Sequence, residues 1–224
     1  MQRGPTHEEI RDIARNAIVV FERHGLACCL TGGTASALYG TTRTPNDVDL
    51  VVLTAAYGQE TLKRMLVMAD PDFYTLAAKD LNAAYRVLWC KVPTRYTYGR
   101  ERRCKVDVLI PGVMNIPDVP RDRISRISGL PVMPLDLLFF LKLQSWTDHR
   151  DSPQYWKVSK QYDDSRDIEE LLLILKKRGV SIRRSGVAWL SEAFVAAGRG
   201  RMAQYVRAYP SSRTKWEELG LRFK

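Results

Sequence analysis

The chain has 224 residues and a formal net charge of +10, with 45% hydrophobic and 27% charged residues. That length can bury a core as one large domain or two small ones, and the composition is globular and soluble, not disordered or fibrous. No apolar run is long enough to cross a bilayer, and the polar start MQRGPTHEEIRD lacks the apolar centre of a signal peptide, so no membrane role and a cytoplasmic location are expected.

Thr6-His7-Glu8-Glu9 reads as a capping box opening a helix. Ile10, Ile13, Ala14, Ala17, Ile18 and Phe21 follow at helical spacing, and Gly25 ends the run. Leu26 to Leu30 reads as a strand, Gly32-Gly33 as a turn, and Thr34 to Tyr39 as a short helix stopped by Gly40. Val48 to Leu53 is a second strand, Gln59 to Met68 a helix, and Phe73 to Leu76 a short strand. Tyr85 to Val92 and Cys104 to Ile110 read as two further strands, joined by a polar turn from Tyr96 to Arg103. Prolines at 111, 117, 120, 131 and 134 then mark a loop region. Beyond it helices dominate: Leu135 to Trp146, Ser165 to Lys177, and two or three more. The expected class is α+β, with a mixed sheet domain over 1–115 and a helical, basic subdomain over 116–224.

Cys28, Cys29, Cys90 and Cys104 form no C-x-x-C pair, and only three histidines are present. A zinc site or disulfide framework is not expected; buried reduced thiols are. The positive charge is uneven. From Lys176 onward twelve basic side chains face three acidic ones, and Arg86, Lys91, Arg95, Arg100, Arg102, Arg103 and Lys105 form a second cluster. Such patches suit RNA or nucleotide phosphates, or serve only to keep the surface solvated.

Asp47 and Asp49 stand at i and i+2, so on a strand both point to one face while Val48, Leu50 and Val52 point to the other. Two carboxylates that close repel unless a cation lies between them. Asp107, in Lys105-Val106-Asp107-Val108, has the same alternation, and an adjacent strand would bring it beside the pair. Three converging carboxylates form a hard-oxygen site suited to Mg²⁺. Gly32-Gly33 opens a helix, where backbone N–H groups can approach an anion closely, and Thr34 and Ser36 add hydroxyls.

These residues resemble the nucleotidyltransferase superfamily, the DNA polymerase β-like fold. Its pattern is a G-G or G-S turn, a spacer, D-h-[DE]-h and a third acid on a later strand. Here that corresponds to Gly32, Gly33, Asp47-Val48-Asp49-Leu50 and Asp107. With Gly32-Gly33-Thr34-Ala35 and Arg43-Thr44 ahead of the aspartates, the chain looks most like the AbiEii-type toxin and aminoglycoside-nucleotidyltransferase branches. The likeness extends more weakly to Lys142 and to Asp163-Asp164-Ser165-Arg166-Asp167, where such proteins often carry Lys in place of Arg166. Helix N-terminal charge is the alternative reading of those three aspartates, and a snorkelling rim residue that of Lys142.

The resemblance implies transfer of a nucleoside monophosphate from an NTP to an acceptor hydroxyl. Asp47, Asp49 and Asp107 would be catalytic and hold two Mg²⁺ ions, with Asp107 a possible proton acceptor. Gly32, Gly33, Thr34, Ser36, Arg43 and Lys142 would bind the nucleotide. RNA, such as a tRNA end, is the first expected acceptor, through the basic C-terminal region, with Tyr96, Tyr98, Tyr155 and Trp156 as base-stacking candidates. A small cationic hydroxylated molecule, drawn by Asp148, Asp151, Asp163 and Asp164, is the second. A non-catalytic nucleotide- or RNA-binding module is the third, and a protein side-chain hydroxyl is chemically equivalent as an acceptor.

Overall fold

The computed structural model describes residues 4–80, 82–93, 102–183 and 185–223. Helix α1 (His7–Arg23) begins at the expected capping box: Thr6 Oγ1 accepts from the Glu9 N–H, and a Glu9 carboxylate oxygen accepts from the Thr6 N–H. The strands are β1 (Cys28–Leu30), β2 (Asp47–Val52), β3 (Phe73–Ala77), β4 (Arg86–Val92), β5 (Arg102–Leu109), β6 (Ser125–Ile127) and β7 (Leu130–Val132). They form one seven-stranded sheet in the order β3-β4-β5-β2-β1-β7-β6. The sheet is mixed: β2 runs parallel to β5 and β1 parallel to β7, while the remaining neighbours are antiparallel. Helices α2 (Gly32–Tyr39) and α3 (Gln59–Ala69) complete this half.

Alternation governs the sheet. Val48, Leu50, Val106, Val108, Leu88 and Cys90 are all buried, and α1 and α3 pack against each other and against the central strands. The four cysteines are free and buried. Burial pushes each thiol up to about 12, so none ionises readily.

Two expectations for this half change. Gly32 and Gly33 do not precede the helix; they form its first turn. The proline-rich stretch is not loop throughout. It contains the β6–β7 hairpin, turned by Ser128 and Gly129 with φ of 50° and 78°. Both central residues have positive φ, the requirement of a tight two-residue hairpin. Three-residue strands, one holding Pro131, leave little periodicity to read. The polar turn expected over Tyr96 to Arg103 lies outside the described residues except for Arg102 and Arg103, which belong to β5.

The chain divides into two compact units. One comprises Met1–Leu38 with Arg43–Met133, the other Tyr39–Thr42 with Pro134–Lys224. The hairpin therefore belongs to the sheet unit, because β7 pairs with β1. The second unit is helical: α4 (Leu135–Arg150), α5 (Tyr155–Val158), α6 (Gln161–Arg178), α7 (Glu192–Ala208) and α8 (Arg213–Glu218). Its core joins Phe139 and Trp146 of α4, Leu171 and Leu175 of α6, Tyr205 of α7 and Trp216 of α8. Tyr205 meets Trp146 edge-on at 5.0 Å and Trp216 at 5.8 Å. The short segment Tyr39–Thr42 is held there by α6: the Thr42 hydroxyl donates to Glu170, and the Arg178 guanidinium lies 5.1 Å from the Tyr39 ring centre. Among the described residues, no helix is long and apolar enough to cross a membrane.

Candidate active site

Strand register assembles the site. In the parallel pair β2–β5, Asp49 lies opposite Asp107 and Asp47 opposite Lys105. With a side-chain period of two, all four side chains share one face of the sheet. The carboxylates of Asp47, Asp49 and Asp107 each offer an oxygen within 4.8 Å of the others. All three residues are half-buried, reachable by a ligand but partly shielded from water.

Lys105 is the member that sequence reading missed as part of the site. Its Nζ lies 2.6 Å from Asp107 Oδ2. Burial opposes its charge, but Asp107, Asp47 and Asp49 outweigh that and hold the ammonium above the usual lysine range. The signal was present: Lys105 and Asp107 are also i and i+2 on a strand. The same carboxylates act on Cys104, whose thiol burial raises first and Asp47 and Asp49 raise further.

The glycine turn is fastened to β2 at both aspartates. The Thr31 N–H donates to the Asp49 carbonyl at 2.9 Å, and Thr34 Oγ1 donates to the Asp47 carbonyl at 2.8 Å. Gly32 has φ of +58°, and a Cβ there would fall 2.0 Å from Asp49 Oδ2. Only glycine lets the backbone pass this close to the carboxylate. A Cβ on Gly33 would fall 3.0 Å from Arg43 Nη2, so that guanidinium sits beside the turn. Ser36 is fully buried and its hydroxyl donates to the Gly32 carbonyl at 2.9 Å. The Thr34 and Ser36 hydroxyl protons thus serve the turn itself.

The sheet unit therefore brings together Asp47, Asp49, Asp107, Gly32, Gly33, Thr34, Ser36 and Arg43. Lys142 belongs to the helical unit and is buried in α4 rather than set at a rim. Its Nζ lies 2.7 Å from Asp167 and 3.5 Å from Asp164, and Asp164 also meets His149 Nδ1 at 2.6 Å. Tyr155 and Trp156 are exposed and touch edge-on at 5.3 Å; Tyr96 and Tyr98 lie outside the described residues.

The donor set suits a hard divalent cation. Three carboxylates crowd one face with one ammonium beside them, and the turn opposite is kept free of a Cβ.

No family model matches the sequence, and no curated protein matches it. Solved structures do match. An antigenic nucleotidyltransferase-like protein from Paracoccidioides brasiliensis is 16% identical, with a TM-score of 0.65 over 99% of this chain and 97% of that one. ANT(2")-Ia, solved in complex with adenylyl-2"-tobramycin, is 13% identical over 86% of this chain and 98% of its own, with a TM-score of 0.48. The Cid1 poly(U) polymerase is 16% identical over 66% and 45%, with a TM-score of 0.32. The last two scores are too low to carry an argument. The first defines the architecture: this chain has the nucleotidyltransferase-like α+β fold, a mixed seven-stranded sheet with flanking helices.

Proposed function

We propose that the chain is a Mg²⁺-dependent nucleotidyltransferase that moves a nucleoside monophosphate from an NTP to an acceptor hydroxyl, with RNA as the acceptor. The observation that carries the reading is the register Asp49 to Asp107, which gathers three carboxylates within 4.8 Å against a glycine turn. Asp47, Asp49 and Asp107 are the residues that would hold two Mg²⁺ ions. When bound, Mg²⁺ supplies positive charge to the triphosphate and lowers the pKa of the attacking hydroxyl.

The remaining roles belong to the chain. Gly32 and Gly33 keep the space beside the carboxylates open, and their backbone lines a helix N-terminus that favours phosphate oxygens. Arg43, beside Gly33, adds positive charge to that side. Thr34 and Ser36 act by holding the turn through the Asp47 and Gly32 carbonyls. In the transfer, the acceptor oxygen bonds to the α-phosphorus while the bond from that phosphorus to the bridging oxygen breaks. Pyrophosphate leaves with the electron pair, and Asp107 receives the hydroxyl proton. Positioning and electrostatics supply most of the rate.

RNA is favoured over a small cationic acceptor by the overall charge and by the pairing of two of the four candidate acids, Asp151 and Asp164. Asp164 is buried against Lys142 and His149, and Asp151 is taken by Arg150 at 2.7 Å. Their charge is compensated inside the unit, whereas the overall charge is +10. The test incubates the protein with Mg²⁺ and each α-phosphate-labelled NTP, offering RNA, protein or aminocyclitol acceptors. Label entering RNA, and lost in Asp49→Asn, supports the reading; label entering only a small acceptor, or unchanged turnover in the variant, refutes it.

A further inference from the structure

Within the helical unit, Arg199, Met202, Ala203, Val206 and Arg207 of α7 recur at i, i+3, i+4, i+7 and i+8 and form one stripe. This stripe, Arg213 of α8 and the segment Leu221 to Phe223 enclose a cavity of about 430 Å³. Among the described residues nine line it; four are arginines (Arg199, Arg207, Arg213 and Arg222), and none is acidic. Its floor is apolar: Met202 and Val206 are buried, and Phe223 is set edge-on to Trp216 at 5.9 Å. Arg213 Nη1 donates to the Phe223 carbonyl at 2.9 Å, which fixes the segment without neutralising the guanidinium.

Four like charges gathered around an apolar floor raise the local positive potential and so attract an anion. The apolar floor suits a ring as well as phosphate. Arg199 and Arg207 are eight residues apart, about 12 Å along the helix axis, too far for one phosphate but within reach of two non-adjacent phosphates of one strand. We propose that this cavity docks single-stranded RNA, with phosphates of one strand on the arginines and a base against the Phe223 and Met202 floor. The proposal rests on RNA as the acceptor in the reading above, but not on catalysis by the carboxylates.

The test measures fluorescence anisotropy of a labelled single-stranded RNA oligonucleotide with the full chain, without NTP or Mg²⁺, across a salt series. Arg199→Gln/Arg207→Gln is compared with Arg11→Gln/Arg23→Gln, which removes the same charge from exposed positions on α1. The cavity variant is expected to bind about tenfold more weakly, with the slope of log K against log salt reduced by about 1.4, or roughly 0.7 for each lost phosphate contact. The α1 variant should stay within about twofold of the unsubstituted chain. Equal weakening in both variants would mean diffuse attraction and overturn the site. Calorimetric binding of ATP or tripolyphosphate that is lost in the cavity variant, with RNA binding unchanged, would overturn RNA as the occupant. The assay contains neither NTP nor Mg²⁺ and measures no label transfer, so a failure of docking is separable from a failure of transfer.

Discussion

At Gly32 two constraints meet at one Cα: a left-handed φ of +58° and an Asp49 oxygen 2.0 Å from where a Cβ would stand. Gly32→Ala should therefore cost about 1–3 kcal/mol and displace the Asp49 carboxylate. Thermal unfolding with and without Mg²⁺ checks both effects. Mg²⁺ should raise the melting temperature of the unsubstituted chain by linkage, and this gain should be absent in Gly32→Ala and in Asp49→Asn. Asp49→Asn alone should leave the melting temperature nearly unchanged and reduce transfer by about 10³-fold. A second residue with a measurable signature is Glu9. Its carboxylate receives both Arg102 guanidinium nitrogens at 2.7 Å and the Thr6 N–H, and it is held down to about 2, chiefly by Arg102. The folded state thus favours the ionised form. This stability is fully present above the unfolded value near 4.5 and is lost as pH falls towards 2. Glu9→Gln should cost about 1–2 kcal/mol at neutral pH, and its unfolding midpoint should change less than the parent's between pH 4.5 and 2.

At the scale of elements, α4 and α6 are joined by a buried charge cluster rather than by apolar contact alone. Lys142 and Asp167 are almost fully buried, and Asp164 completes the group. Removing the ammonium leaves carboxylates without their main partner in a low-dielectric interior, so Lys142→Met should cost about 3–5 kcal/mol in urea unfolding. Lys142→Met/Asp167→Leu should lose less than the single variant, because the uncompensated charge leaves as well. Helices α4 and α7 meet at Gly198, where a Cβ would fall 2.1 Å from Phe140 Cδ1. Gly198→Ala should destabilise by about 1–3 kcal/mol, and Phe140→Leu in the same chain should return part of that loss. These elements differ in how far they were legible. Helix α1 is announced by its capping box and its 3.6-residue period, both local properties. The β6–β7 hairpin was read as loop because its strands are three residues long and one contains proline; only pairing of β7 with β1 gives them an identity.

For the whole molecule, charge is the property with an outward consequence. A net +10, concentrated beyond Lys176, predicts that RNA affinity falls steeply as salt rises from about 50 to 200 mM. A flat salt response would point to a small acceptor. The chain's alternation determined by itself that Asp47 and Asp49 share a face, that their strand turns an apolar face inward, and that a glycine turn precedes them. These are periodic and local, so one segment suffices to read them. That Asp107 stands opposite Asp49, that Lys105 accompanies it, and that Arg43 lies beside Gly33 are facts of register and loop path between residues distant in the chain. Burial was likewise undecidable locally. Lys142 and Ser36 are polar residues that sequence set at a ligand, and the fold buries both and gives each an internal partner. The basic C-terminal region was visible as composition. Only packing of α7 against the chain's end makes four of its arginines line one cavity, because a linear count of charge carries no information about which side chains converge.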